Sequence, residues 1–183
     1  MRDRKYITRF QAGDFEAFGF LYERYIDNIF AFVYRKTSDR EVAEDITSKV
    51  WMKALRSLEF FGEKDNANFK SWIYRIAQNT VIDYYRTRKE QVDIDNIVET
   101  GICNNFAKNI DNKDKLWDVV KYLSTLKPIE QEIVTLRIWD DLSYKQIAGL
   151  VEKKEDNCKK IFSRALKKIQ ENIVMIMLIL LIF

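Results

Sequence analysis

Only one proline, Pro128, and five glycines punctuate 183 residues. Sandwiches and barrels close many tight turns, and glycine and proline are the residues that make such turns easy, so the hairpins of an all-β fold are hard to build from this chain. Long helices need no such punctuation. The expected fold class is all-α, and the apolar spacing agrees. From Asp14 to Arg35, the residues Phe15, Phe18, Tyr22, Tyr25, Ile29, Phe32 and Val33 recur at helical intervals, with Asp14 placed to cap the run. Ser38 and Glu41 read as a capping box ahead of a second run, Val42, Ile46, Val50, Ala54 and Leu58. Phe60-Phe61-Gly62 and the polar stretch Glu63 to Asn68 then precede a third run, from Phe69 to Arg88, that carries Trp72, Ile76 and Val81. These runs form one compact domain over residues 1–89.

Residues 90–113 are rich in Asp and Asn and keep no period, which is the composition of a flexible linker. A second small helical domain follows over 114–172. Leu116, Val119, Val120 and Leu123 share one helix, and Pro128 opens the next, where its missing N–H costs nothing. Ile133, Val134 and Leu136 continue the core. Ser143 and Gln146 form a capping box for a short helix with Ile147 and Ala148, and a basic helix carrying Cys158, Ile161, Phe162, Ala165 and Ile169 comes after it. Cys158 is expected to be buried, as a small hydrophobe.

Histidine is absent, which removes the commonest general base and most zinc and iron ligand sets. Cys103 and Cys158 lie far apart, without a metal-knuckle spacing and in keeping with a reducing cytoplasm. Asp39, Glu41, Glu44 and Asp45 form a carboxylate cluster on one stretch of helix, but no phosphate cradle accompanies them, so a metal-dependent nuclease is a poor reading. The expectation is a non-enzyme without cofactor or metal. Met1 to Arg9 lacks the apolar stretch of a secretory signal. A net charge of +3 is too mild to name a partner, so the placement of the charges decides.

That placement is informative in the second domain. Leu142-Ser143-Tyr144-Lys145-Gln146-Ile147-Ala148, a turn, and then Asn157 to Lys168 read as a helix-turn-helix, whose second helix offers Lys159, Lys160, Ser163 and Arg164 to phosphates and base edges. From about Asp14 to Ile173 the chain resembles the extracytoplasmic-function sigma factors, the small two-domain members of the sigma-70 class of bacterial initiation factors. LSTLKPIEQEIVTLRIWDDLSYKQIAGLV is similar to the family's region four, AEDITSKVWMKAL to region 2.2, and FKSWIYRIAQNTVIDYYRTRK to regions 2.3 and 2.4.

The resemblance implies core RNA polymerase and promoter DNA as partners, and it allows an anti-sigma protein. Region 2.2 implies polymerase contact by Asp39, Glu41, Glu44, Asp45, Lys49, Trp51 and Lys53, although Trp51 reads equally well as core. Regions 2.3 and 2.4 imply minus-ten recognition by Trp72, Arg75, Asn79, Asp83, Tyr84, Arg86, Arg88 and Lys89, with the Gly62 to Asn68 loop and Asn79 holding a flipped base. Trp72, Tyr74, Tyr84 and Tyr85 divide between core and base stacking, and Asp83 is expected to orient a neighbouring arginine. Region four implies minus-thirty-five recognition by Ser143, Tyr144, Asn157, Lys159, Lys160, Ser163, Arg164 and Lys167. Opening a promoter requires no covalent step, only tighter binding of unpaired than of paired bases.

Two features depart from the family pattern. The turn after the first helix has Glu152 and Lys153 where the family carries glycine and a small apolar residue, which implies a looser turn or a longer first helix. Residues 173–183 read IVMIMLILLIF, roughly 16 Å of helix and half of what a bilayer needs. Docking on the second domain, or a shifted reading frame, explains this tail better than membrane contact. The other function class open to such a chain is a stand-alone helix-turn-helix regulator.

Overall fold

The structure is a computed structural model that describes residues 2–62, 68–91, 123 and 125–182, with side chains for all of these except 2, 89–91 and 172–182. No strand occurs among the described residues. The chain divides into two compact units, Met1–Ile97 and Val98–Phe183.

In the first unit, α1 (Arg2–Gln11), α2 (Ala17–Thr37), α3 (Arg40–Ser57), a 3-10 turn (Leu58–Phe60) and α4 (Phe69–Gln91) follow one another. α2, α3 and α4 pack mutually, and α1 lies on α2 and the 3-10 turn. Leu21, Ile29 and Val33 of α2, Ile46, Val50 and Ala54 of α3, and Ile73, Tyr74 and Ala77 of α4 are fully buried. Each set falls on one side of its helix, so each helix contributes one apolar stripe.

Several local expectations shift. α1 has no counterpart among the expected helices, yet Ile7 and Phe10 bury one face of it. Asp14 does not cap α2. Its carboxylate accepts the Arg9 Nε hydrogen bond at 2.7 Å, across the turn that α1 creates, and α2 starts at Ala17 without a side-chain cap. Ser38 likewise does not cap α3. It takes a left-handed conformation (φ 57°) and closes α2 with its N–H on Tyr34 O, and Asp39 becomes the N-cap by accepting from Val42 N–H at 3.1 Å. Asp39 is short enough to reach back to that amide, which a helix start otherwise leaves unpaired.

The second unit contains α5 (Pro128–Ile138), α6 (Tyr144–Leu150) and α7 (Glu155–Ile182). Pro128 occupies the first turn of α5, and Ser143 and Gln146 form the reciprocal box that starts α6, both as expected. Leu123, Leu126, Val134 and Ala165 form a buried cluster edged by Phe162 and Ile169. The expected linker, Cys103 and the helix of Leu116, Val119 and Val120 lie outside the described residues. α7 spans 28 residues, so the backbone of the apolar tail forms its last turns through Ile182. No described helix is long and apolar enough to cross a membrane.

Candidate nucleic-acid and polymerase interfaces

At about 100° per residue, Trp72, Arg75, Asn79, Asp83 and Arg86 fall within an arc of about 80° on α4, opposite the buried stripe of Ile73, Tyr74, Ala77 and Val81. Arg75, Asn79 and Arg86 are exposed, and Trp72 and Asp83 are half-buried. Trp72 is held from behind by Phe61 (ring centroids 4.9 Å, edge-on) and Phe69 (5.5 Å). Phe69 in turn meets Tyr25 at 5.5 Å. Tyr74 is core, packed edge-on against Phe32, and Tyr85 is tied down by its hydroxyl donating to Lys36 O at 2.9 Å. Burial, chiefly, raises the Tyr85 phenol above its ordinary pKa. Of the four aromatics, Tyr74 alone is fully buried, and Trp72, Tyr84 and Tyr85 are half-buried.

Of the loop assigned to a flipped base, residues 63–67 lie outside the described residues, but both of its ends are defined. Gly62 has φ +94°, a left-handed conformation that suits glycine. Asn68 caps α4 by accepting from Ser71 N–H at 3.3 Å. Gln11, which sequence reasoning missed, aims its side-chain amide at the carbonyls of Leu58 (3.2 Å), Glu59 (3.1 Å) and Phe61 (2.7 Å), fastening α1 to the foot of the loop. Signals for it were present in the apolar pair Ile7 and Phe10.

Tyr84 and Arg88 part from the other minus-ten candidates. They turn toward α3, where Arg88 donates to the Tyr84 hydroxyl at 3.0 Å. With Lys49, Lys53, Thr80 and Asp83 they line a cleft of about 480 Å³ between α3 and α4. The backbone of Lys89 continues α4, and its side chain lies outside the described residues. Asp83 accepts from Arg86 at 3.0 Å and from Lys53 at 3.5 Å.

On α3, Glu41, Glu44, Asp45 and Lys49 form an exposed outer face, laced by Arg40–Glu44 (2.9 Å) and Lys49–Asp45 (2.5 Å) ion pairs. Exposed Met52 and Leu55 lie on the same face and escape a reading of the sequence, because they sit outside the apolar period. Three expected members leave it. Asp39 is committed to capping. Trp51 is 5% exposed and packs edge-on against Phe18 (5.8 Å) and Tyr22 (4.9 Å), so it joins α2 to α3 and is not a surface anchor. Lys53 points to α4, with Thr80 Oγ1 at 3.1 Å.

In the second unit, Lys159, Lys160, Ser163, Arg164 and Lys167 are exposed on the side of α7 opposite Cys158, Phe162, Ala165 and Ile169, and Asn157 lies exposed at its edge. The turn before α7 is tight, contrary to expectation. It occupies residues 151–154, because Glu152 adopts the left-handed conformation (φ 52°) that glycine takes at lower cost. Ser143 and Tyr144 have internal partners: the Ser143 hydroxyl accepts from Gln146 N–H, and Tyr144 lies edge-on to Phe162 at 5.7 Å beneath the Arg137 guanidinium. Ser143 starts α6, and Tyr144 packs α6 against α7.

Electrostatics grade the α7 cations. Lys159 is hydrogen-bonded to Glu155 at 2.9 Å and lies 3.6 Å from Asp156, and the Glu155 bond leads in raising its pKa. Among the described residues, Lys160 and Arg164 have no ion-pair partner. At the other edge, Lys168 bonds both oxygens of Glu130 (2.7 and 2.9 Å). Burial alone would push the Glu130 carboxyl up, but bonds from Lys168 and the Lys127 N–H outweigh it and hold its pKa below the ordinary value. Burial raises the Cys158 thiol, which makes it a poor nucleophile. Among the described residues no group of acidic or cysteine side chains is placed to hold a metal.

Residues 21–91 match the Sigma-70 region 2 family and residues 116–169 match Sigma-70, region 4. The ECF RNA polymerase sigma factor BldN of Streptomyces coelicolor is 30% identical over 88% of this chain, which spans 62% of that relative's length. SigM of Bacillus subtilis is 25% identical over 82% of this chain and 91% of its own length, and the sigma-E factor of Escherichia coli K12 is 29% identical over 83% and 84%. Among solved structures, CnrH in complex with the cytosolic domain of CnrY superposes with a TM-score of 0.65 at 19% identity, covering 96% of this chain and 99% of that one. RpoE in complex with the anti-sigma factor NepR from Bartonella quintana gives 0.60 at 22%, covering 84% and 94%. These last two likenesses concern the fold. With both regions matched in order and relatives aligned across most of its length, the chain belongs to the extracytoplasmic-function sigma factors of the sigma-70 family.

Proposed function

We propose that the chain binds core RNA polymerase and directs promoter-specific initiation, with the labour divided among three surfaces. The outer face of α3, with Glu41, Glu44, Asp45, Lys49, Met52 and Leu55, engages the polymerase. The exposed stripe of α4, Trp72 to Arg86, receives the minus-ten non-template strand, and the solvent side of α7 reads the minus-thirty-five duplex. It works in the cytoplasm and performs no covalent chemistry. By the precedent of RpoE and NepR, an anti-sigma protein is the partner that holds it inactive.

The observation that carries this reading is the α4 stripe. One stacking aromatic, one bidentate amide and two guanidiniums on a single exposed face suit a single strand, because stacking is sequence-tolerant and worth about 1–3 kcal/mol per base while cations track the phosphates. A stand-alone helix-turn-helix regulator would leave that stripe without a role. Transcription by core polymerase from a randomised promoter library tests the proposal: a restricted set of promoters should emerge, and absence of both core binding and transcripts would refute it. On a promoter so selected, Asn79→Ala should leave duplex binding intact and slow opening, read with a fluorescent base analogue. Opening at the wild-type rate would remove Asn79 from the site.

A further inference from the structure

The sequence places Lys53 with the polymerase contacts and Asp83 and Arg86 with the DNA contacts, yet the fold joins all three. Lys53 leaves the outer face of α3 and crosses to α4. Its ammonium donates to Thr80 Oγ1 at 3.1 Å and to Asp83 Oδ2 at 3.5 Å. Thr80 is 4% exposed and spends its own proton on Ile76 O, at 2.8 Å, so toward Lys53 it is a fixed acceptor. The other oxygen of Asp83, Oδ1, accepts from Arg86 Nη2 at 3.0 Å. One carboxylate is thus shared between a cation of α3 and a guanidinium of the minus-ten stripe.

Asp83 is the one acidic member of that stripe, and a carboxylate beside the phosphate track of a DNA strand repels it. A cation held against the far oxygen offsets this charge and leaves the near oxygen aimed at Arg86. We infer that Lys53 is a positioning residue for the strand-binding face: it contacts neither polymerase nor DNA, and acts through Asp83 to neutralise the stripe and orient Arg86. Thr80 fixes the ammonium in place, and Lys53, Thr80 and Asp83 line one cleft between α3 and α4.

This inference rests on the sigma-factor reading, and the test separates the two. Full-length wild type, Lys53→Met, Lys53→Arg, Asp83→Asn and the Lys53→Met/Asp83→Asn double variant are each assembled with core polymerase. Core affinity is then measured apart from affinity for a labelled non-template minus-ten oligonucleotide taken from a selected promoter. Failure of the wild type in either assay counts against the sigma-factor reading alone. With an active wild type, Lys53→Met should bind core normally but hold the oligonucleotide about threefold more weakly, the size expected for a half-exposed pair. Its salt slope should be unchanged, since no phosphate contact is lost. Lys53→Arg should restore affinity. When Asp83→Asn is already present, adding Lys53→Met should have no effect, because the charge it offsets is gone. Three results would each overturn the inference: reduced core affinity in Lys53→Met, an oligonucleotide loss of the same size with and without Asp83→Asn, or no loss at all.

Discussion

Glu130 offers the most direct test of how the basic helix α7 is held. It lies in the first turn of α5, its side chain 11% exposed, and it accepts from the Lys127 N–H at 3.0 Å and twice from Lys168 of α7. The contact to the Lys127 amide is a capping interaction worth about 1 kcal/mol. The Lys168 pair would be worth about 1.5–3 kcal/mol if fully shielded, but the lysine is 44% exposed, which reduces it to about 1 kcal/mol. Glu130→Gln retains an acceptor for the amide and loses the charge pair, so it should destabilise the second unit by about 1 kcal/mol; Glu130→Ala loses both, about 2 kcal/mol. The pH dependence has a definite sign. Because the folded pKa lies below the ordinary 4.5, the carboxylate's contribution is present above the unfolded value and lost as pH falls through the folded one. Urea denaturation of the full chain, followed by hydrogen exchange at α5 and α7 amides, should show a wild type to Glu130→Gln gap at pH 7 that closes in acid. A gap of the same size on both sides of that window would refute the reasoning.

Two further outcomes are expected. Glu152→Gly should stabilise the second unit, because a left-handed L-residue costs about 1–2 kcal/mol and glycine's freedom in the unfolded chain takes back about 0.4–1 kcal/mol. Calorimetry should register a rise of roughly 5 °C in the corresponding transition, and an unchanged or lower Tm would contradict the strain. Lys160→Ala and Arg164→Ala should each lower the salt slope of minus-thirty-five duplex binding by about 0.9. Lys159→Ala should lower it less, since Lys159 already faces Glu155 and Asp156, and equal slopes for all three would show that those carboxylates do not compete with phosphate.

Helical periodicity made the cores legible, because a stripe of Ile46, Val50 and Ala54 has one way to be buried. It also revealed the α6 capping box, where side chain and backbone satisfy each other within four residues. What stayed hidden depended on contacts distant in sequence. Asp14 and Ser38 are competent caps taken alone, but the unforeseen α1 supplied Arg9 to Asp14, and the α2–α3 corner required a left-handed residue at Ser38. Trp51 resisted assignment because a position about 100° off a stripe is surface on an isolated helix and core once a second helix brings Phe18 and Tyr22 over it. Among the functional candidates, spacing set the α7 cations opposite Cys158, Phe162, Ala165 and Ile169, but on α4 it put Trp72 and Ile76 in the apolar run, where both are half-buried and the core residues are Ile73, Tyr74, Ala77 and Val81. It could not register that Tyr144 and Lys53 have partners on other helices, since partnership across helices leaves no trace in local pattern.

If the first unit captures an unpaired base as proposed, the Trp72 surroundings give a reason for its firmness. Capturing an unpaired base yields net free energy only if the capturing surface need not be ordered at the same moment, for otherwise side-chain entropy consumes much of a stacking energy of about 1–3 kcal/mol. Here the ordering is completed by folding. Phe61 and Phe69 fix the Trp72 ring from one side, Tyr25 braces Phe69, and Tyr25 is itself anchored by its hydroxyl donating to Asp3 of α1 at 2.7 Å. Burial and that bond keep the Tyr25 phenol protonated far above its ordinary pKa. The chain of contacts from Asp3 to Trp72 passes through α1, α2 and α4, and Gln11 secures the adjoining loop foot from the same helix. α1, the element least visible in the sequence, therefore supports both the aromatic cluster of Trp72 and the loop beside it, and under the proposed function a base would meet a Trp72 ring already oriented.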